Sequence, residues 1–222
     1  MYLDDEVIFC CSGGGSACLS LPSVGLSVAE KHEVVKLVAS KGATIEDLNR
    51  IRGRLSRTKS GRLLQAASPA QTETLILSDV IGDPVHLIGS GPTIPFDESV
   101  QVSEILNRYG IRLEEKIENI LEQNEPPKLD IAPNVKIVGS NRLVLDEISR
   151  VAREEELNTI ILGDTISGEA NLIGQAYSDI ARFIKGYCSL GDLKRSLEQV
   201  NFPSTTVDTV IGIFFNFYEF EY

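Results

Sequence analysis

The stretch Val7–Cys18, VIFCCSGGGSAC, decides how this chain is read. The apolar residues Val7 to Cys11 stop at Ser12, and Gly13, Gly14 and Gly15 follow before Ser16. A near-continuous apolar run of this length predicts a strand buried on both faces of a largely parallel sheet. Three consecutive glycines are costly to order, because glycine loses more conformational freedom on folding than any other residue. A ligand that needs bare backbone close by, such as a phosphate or carboxylate held by successive N–H groups, would offset that cost. The plainer alternative is a flexible turn.

Working outward, three more runs read as strands: ETLILS (73–78), VKIVG (135–139) and NTIILG (158–163). Helical patterns lie between them. Ser27-Val28-Ala29-Glu30 is a capping box opening a helix that ends before Gly42, and Thr44 to Asp47 starts a second. SVQVSEILNRYG (99–110) places Val102, Ile105, Leu106 and Tyr109 on one stripe. Residues 141–157 and 169–187 each carry a helical pattern directly after a strand. Strand and helix in alternation predict an α/β fold, Rossmann-like and three-layered, with a mostly parallel sheet. The stretch 111–134 is polar, with NEPPKLDIAP (124–133) reading as a linker or excursion and the charges as a solvated face.

The chain has 222 residues and a formal net charge of −11. That balance argues against electrostatic binding to nucleic acid or an anionic membrane, but not against a small anion, which senses local charge. Cys10, Cys11, Cys18 and Cys188 form no C-x-x-C pair, and His32 and His86 are the only histidines, so zinc is disfavoured. The acidic N-terminus lacks a basic targeting segment, and no apolar run approaches a membrane span, so a cytoplasmic location is expected. Six of the 14 aromatic residues fall in the last nine positions. Such a tail reads as a core strand, an interface or sequence foreign to the fold; left uncovered it would promote association. Homo-oligomer formation is left open.

Three segments could carry chemistry. The glycine loop matches neither a Walker A motif nor the G-x-G-x-x-G fingerprint, whose last glycine would fall at Cys18. Gly14-Gly15-Ser16 satisfies half of a nucleophile elbow, so a hydrolase using Ser16 with His86 is a weak alternative. NRIRGRLSRTKSGR (49–62) crowds Arg50, Arg52, Arg54, Arg57, Lys59 and Arg62 into an acidic protein. This suits an anionic ligand; a solvated basic helix is the plain reading. In LSDVIGDPVHLIGSGPT (77–93), Asp79 falls just past a strand, where open α/β sheets bind ligands. Asp83 follows across Gly82, and paired carboxylates there suit Mg²⁺.

The ordered set SGGGSA, N-x-x-R-x-x-L-S-x-x-K, LILSDVIGDP, SGPT and VGSN resembles the class II glycerate kinases, whose C-terminal part is the MOFRL domain. The match covers roughly residues 6 to 185. The resemblance implies ATP-dependent, Mg²⁺-assisted phosphorylation of D-glycerate. It implies that Ser12, Gly13, Gly14, Gly15, Ser16, Asn49, Ser90, Gly91 and Thr93 bind substrate or phosphate. It also implies that Arg52 and Lys59 neutralise anionic oxygens. Asp79 and Asp83 would hold Mg²⁺, or one of them would accept the hydroxyl proton. Which loop takes the nucleotide, and whether 2- or 3-phosphoglycerate forms, stay open.

The chain also departs from the family pattern. Lys59-Ser60-Gly61 stands where the family has K-G-G. The family's G-K-A-type, S-G-G-E-x-T and G-G-R-N-Q-E segments are absent. The chain therefore reads as a truncated form, with a kinase α/β domain over 1–187 and a divergent tail over 188–222 in place of the MOFRL domain. A truncated form is expected to show little or no kinase activity, and an inactive isoform or binding fragment is the alternative function.

Overall fold

The computed structural model describes residues 2, 4–96, 100–129, 132–157, 159–187 and 189–200. The chain divides into two compact units, Met1–Ser140 and a second beginning at Asn141. In the first, β1 (Glu6–Cys11), β2 (Gln71–Leu77) and β3 (Asn134–Gly139) form a parallel sheet in the order β1-β2-β3. The fold is α/β, as the alternation of elements predicts. Parallel strands bring their C-terminal ends to one edge, so the chain leaving β1 at Ser12 and the chain leaving β2 at Ser78 emerge together. The Ser78 N–H donates to Gly139 O at 2.8 Å, which ties the end of β3 to the same edge.

Both faces of these strands were expected to be buried. Instead the strands alternate. Cys11, Thr74 and Ile76 are buried on one face, packed with Ile88 and half-buried Phe9, Val135 and Ile137. The register puts Ile8, Cys10 and Leu77 on the other face, where Ile8 is 64% exposed. An apolar run records only which side chains tolerate burial; whether both faces are covered depends on what packs there.

Helices α1 (Gly15–Cys18), α2 (Val28–Ser40), α3 (Ile45–Arg54), α4 (Arg62–Ala67), α5 (Val102–Arg108) and α6 (Glu115–Gln123) complete the unit. The capping box opening α2 is present: Ser27 Oγ accepts from the Glu30 N–H, and Glu30 accepts from the Ser27 N–H. Thr44 caps α3 through the Asp47 N–H. Val34 and Val38 of α2, Leu48 and Ile51 of α3, Ile105 of α5, and Ile117 and Leu121 of α6 meet in one core. Helix α6 occupies part of the polar stretch 111–134, ahead of the expected linker at 124–133. Its Ile117 and Leu121 sit one helical turn apart and both are buried, so this polar stretch contributes to the core.

In the second unit lie α7 (Asn141–Glu154), α8 (Ala170–Ile184) and α9 (Leu190–Glu198). The run 158–163 was expected to be a strand, but residues 159–163 form none. A strand exists only with a paired neighbour. Leu162 packs instead against the core that α8 and α9 build from Ala176, Ile180, Phe183, Leu193 and Leu197. Helix α9, opened by a Ser189–Asp192 capping box, was not foreseen. The aromatic tail and Cys188 lie outside the described residues. Among the described residues no helix is long and apolar enough to cross a membrane.

Candidate functional site

Three turns meet at the C-terminal edge of the sheet. The first follows β1. Gly14 has φ +79° and a Cβ there would meet nothing within 4 Å, so glycine serves the backbone conformation and leaves open space. Gly13 is different. Its φ is unremarkable, but a Cβ would overlap Asp79 Oδ2 and stand 3.1 Å from Asp79 Cγ. The Asp79 carboxylate therefore lies directly over Gly13. The Gly15 N–H is already donated to Ser12 O at 3.1 Å, so the loop's donors are partly spent on its own turn.

The second turn, Ile88–Ser90 running into Gly91, holds three successive left-handed residues: Gly89 (φ 62°), Ser90 (φ 64°) and Gly91 (φ 59°). A Cβ on Gly91 would overlap Ile94 O and lie 2.9 Å from His86 O. A left-handed serine is strained. Ser90 is held by full burial and by its hydroxyl, which donates to Asn49 Oδ1 at 2.8 Å and lies 2.8 Å from Ser16 Oγ. The third turn carries Ser60, also left-handed at φ 53°. This is the position where the family pattern has glycine, and the backbone conformation explains that preference. The Ser60 N–H bonds to Ser90 O at 3.1 Å, and Ser60 Oγ accepts from the Phe96 N–H at 3.0 Å, which compensates locally.

Lys59 joins the turns. It is 1% exposed, and its ammonium donates to Ser16 O at 2.7 Å, Ser16 Oγ at 3.3 Å and Gly89 O at 3.1 Å. All three protons are committed to neutral protein oxygens. Desolvation lowers its pKa to about 8, helped by the positive charges of Lys31 and Arg52. Lys59 is thus a buried clamp between the glycine loop and the Gly89–Gly91 turn. Cys11 Sγ fills the space beneath, where a Cβ on either Gly15 or Gly89 would meet it. Burial pushes the Cys11 thiol up, against the pull of Lys59.

Helix α3 sorts the basic run by face. Leu48 and Ile51 enter the core, while Asn49 and Arg52, one turn apart, reach the site. Arg52 Nη1 donates to Asn49 Oδ1 at 3.3 Å, linking Arg52–Asn49–Ser90–Ser16 in one chain. Arg54 and Arg62 are buried and serve the backbone: Arg54 reaches Leu121 O and Glu122 O, and Arg62 reaches Asn124 O and Glu125 O, beside the last turn of α6. Arg50 pairs with Asp47, leaving Arg57 exposed. Neither the anion-site reading nor the solvated-helix reading of this run foresaw that two of its arginines would hold carbonyls.

The structure therefore brings Ser16, Asn49, Arg52, Lys59, Ser90 and Gly91 together, with Gly13 under Asp79. Thr93 is buried and accepts from Thr74 Oγ1 at 2.8 Å, inside the sheet's packed face. Asp83, with φ 53°, is half-buried on the turn after Asp79. Neither carboxylate forms an ion pair among the described residues. Among the described residues no group of three or more His, Cys, Asp or Glu gathers that could hold a metal on its own. Two unpaired carboxylates on one turn fit Mg²⁺, which takes one or two carboxylates and completes its shell with phosphate oxygens and water. His86 packs edge-on against Phe96 at 5.7 Å, while Ser16 Oγ is engaged by Ser90 and Lys59, so the serine–histidine pair of the hydrolase alternative does not form.

Sequence reading missed Lys31, Ser20 and His32, which with Ser16, Arg52 and Lys59 line a cleft of about 370 Å³. A signal was present: Lys31, Val34 and Val38 share one stripe of α2, and a lysine in an apolar stripe is out of place.

A parallel α/β sheet thus carries a glycine loop, an acidic turn and buried cations at its C-terminal edge. The chain belongs to the family described as Domain of unknown function (DUF4147), whose model matches residues 1–122. It is 40% identical over 204 residues to a glycerate kinase of Rattus norvegicus, covering 88% of this chain and 39% of that protein. A relative from Agrobacterium vitis, 38% identical over 181 residues, carries a provisional name as a hydroxypyruvate reductase; the match covers 80% of this chain and 47% of that protein. The crystal structure of a glycerate kinase from Thermotoga maritima superposes with a TM-score of 0.71 at 30% identity, covering 82% of this chain and 44% of that one. The chain thus spans less than half the length of these relatives.

Proposed function

We propose that this chain carries part of the active site of a glycerate kinase, which transfers the γ-phosphoryl group of ATP to D-glycerate. The hydroxyl oxygen of glycerate forms a bond to the γ-phosphorus, the bond to the bridging oxygen of ADP breaks, and the hydroxyl proton is released. The observation that carries this reading is the clustering of the family's separate motifs at one sheet edge, knitted by the Arg52–Asn49–Ser90–Ser16 chain and the Lys59 clamp. Phosphoryl transfer needs positioning and charge neutralisation more than covalent chemistry, and this site is built for those tasks.

Lys59 holds two turns in register. Arg52 presents charge to the open side. Gly13 and Gly14 keep the loop bare beside Asp79. Asp79 and Asp83 are the residues that would hold Mg²⁺. Bound Mg²⁺ neutralises charge on the transferring phosphates.

The test is a coupled ADP-release assay with D-glycerate, run beside calorimetry with Mg·ADP because the chain spans under half of its relatives. D-Glycerate-dependent ADP release, or binding of both ligands, is expected, with Asp79→Asn losing the Mg²⁺ dependence. Oxidation of a nicotinamide cofactor by hydroxypyruvate, with no response to ATP, would overturn the kinase reading in favour of a reductase.

A further inference from the structure

Asp47, in the first turn of α3, is a carboxylate only 2% exposed, next in the chain to core residue Leu48. Three donors converge on it. Arg108 Nη1 donates to Oδ2 at 2.8 Å, the Tyr109 hydroxyl donates to the same oxygen at 2.9 Å, and Arg50 Nη1 stands 3.6 Å from Oδ1. The Tyr109 hydroxyl also accepts from the Thr44 N–H at 3.2 Å, while Thr44 Oγ1 accepts from the Asp47 N–H at 3.2 Å. The phenol is thus used as donor and as acceptor at once. Arg108 is the last residue of α5 and Tyr109 is its C-cap. The C-terminus of α5 is therefore tied to the N-terminus of α3 by a closed ring of Thr44, Asp47 and Tyr109. None of these residues, nor Arg108, lies in the five motifs that mark the candidate site.

Stability alone does not call for a buried carboxylate here. Replacing a buried ionic group by apolar side chains of similar volume is often neutral or stabilising, and the best-attested use of such a group is to fix one register. Leu48, Ile51 and Ile105 already give α3 and α5 a shared apolar core. Apolar burial is non-directional and does not stop one helix from sliding along another; a hydrogen-bonded ring does. The other end of α3 is pinned in the same manner, because Arg54 donates to Leu121 O and Glu122 O, and Gly53 O accepts from Arg62 at 3.1 Å. Asn49 and Arg52 lie between the two pins. Asn49 is two residues beyond Asp47, about 3 Å along the helix axis. Its Oδ1 accepts from Ser90 at 2.8 Å and from Arg52 at 3.3 Å, and such bonds weaken steeply once distance and angle are lost. We propose that Tyr109, with Asp47 and Arg108, is a positioning residue for the candidate site. The latch sets the height of α3 and thereby holds Asn49 against Ser90. Tyr109 acts through the helix and not on a ligand.

The experiment is a pair of double-variant cycles on the 222-residue chain, read as unfolding equilibrium constants in urea. Tyr109→Phe keeps the ring and removes the hydroxyl, and should raise the unfolding constant roughly tenfold. Ser90→Ala removes the hydroxyl that Asn49 accepts from. Tyr109 and Ser90 share no hydrogen-bond partner among the described residues, so a hydroxyl that only stabilises its own surroundings would give additive effects. A positioning hydroxyl couples the two. The factor by which Ser90→Ala raises the unfolding constant should be smaller by about twofold or more in the Tyr109→Phe background. Thr74→Val removes a buried hydroxyl bonded to Thr93 and is the control, expected to be additive with Tyr109→Phe. Ser16→Ala takes the place of Ser90→Ala if the latter does not fold, since Ser16 Oγ is the next member of the chain. Additivity in both cycles, or equal coupling in both, would overturn the proposal. Calorimetry with D-glycerate and with Mg·ADP reads the site itself, and this arm alone rests on the kinase reading above. At least one of the two should bind more weakly to Tyr109→Phe, by about twofold or more, with the fold intact by circular dichroism. Unchanged binding of both would overturn the proposal and leave the kinase reading standing. If the parent chain binds neither, the kinase reading falls, and the two stability cycles decide the latch by themselves.

Discussion

Gly13→Ala separates the proposed metal role of Asp79 from its role in the fold. A Cβ at position 13 would overlap Asp79 Oδ2 and stand 3.1 Å from Asp79 Cγ. Carbon atoms in contact prefer a separation of about 3.5–4.0 Å, so the carboxylate carbon must retreat by roughly half an ångström and its oxygen by more. Magnesium binds at about 2.0–2.1 Å in near-ideal octahedral geometry, and a functional ligand stays within about 0.2 Å of its place. The displacement exceeds that tolerance. Changes to groups that orient a metal ligand typically cost about 10–100-fold in metal affinity, and a loss in that range is expected here. The backbone has little reason to suffer, because Gly13 is not left-handed and the atoms it would strike are the end of a side chain. The assay is the ratio of ADP affinities with Mg²⁺ and with a chelator, read by calorimetry. Gly13→Ala should shrink that ratio by about 10–100-fold with the melting temperature nearly unchanged. The double variant with Asp79→Asn should be no worse than Asp79→Asn alone, since both act on one ligand. A wild-type ratio in Gly13→Ala, or full additivity in the double variant, would refute the reasoning.

Lys59 makes stability depend on pH in a definite direction. Its folded pKa is about 8, below the ordinary lysine value of 10.5, so between these values the unfolded chain holds a proton that the folded chain has lost. Stability from this group therefore rises as pH increases from about 8 towards 10.5, by up to about 3 kcal/mol. Lys59→Met should lack that rise, and urea midpoints at several pH values, compared between the two proteins, would show it; parallel profiles would contradict a depressed lysine. Two glycine variants should differ in kind. Gly91→Ala puts a methyl against two backbone carbonyls at φ 59° and should cost about 3 kcal/mol or more, whereas Gly14→Ala meets open space and should cost about 1–2 kcal/mol from its φ alone. Equal melting temperatures for the two would undercut the packing argument.

The sequence determined what depends on neighbours along the chain. The capping box at Ser27 to Glu30, the cap at Thr44 and the Val102–Ile105–Leu106 stripe are local, and each stands where the pattern puts it. So do the first three strands, because aliphatic runs between helical segments leave few topologies open. The residues of the candidate site were also legible, as five motifs in order. Their arrangement was not. Asp79 over Gly13, and Ser90 against both Asn49 and Ser16, are contacts between residues far apart in the chain, and no spacing encodes them. Tertiary structure alone decided that Arg54 and Arg62 hold carbonyls while Arg52 faces an open cleft, since all three are cations in one run and only burial tells them apart. It alone showed that the Lys59 ammonium is held by Ser16 and Gly89. It also denied a strand to 158–163, because a strand needs a partner, and a partner is a property of the fold and not of the segment.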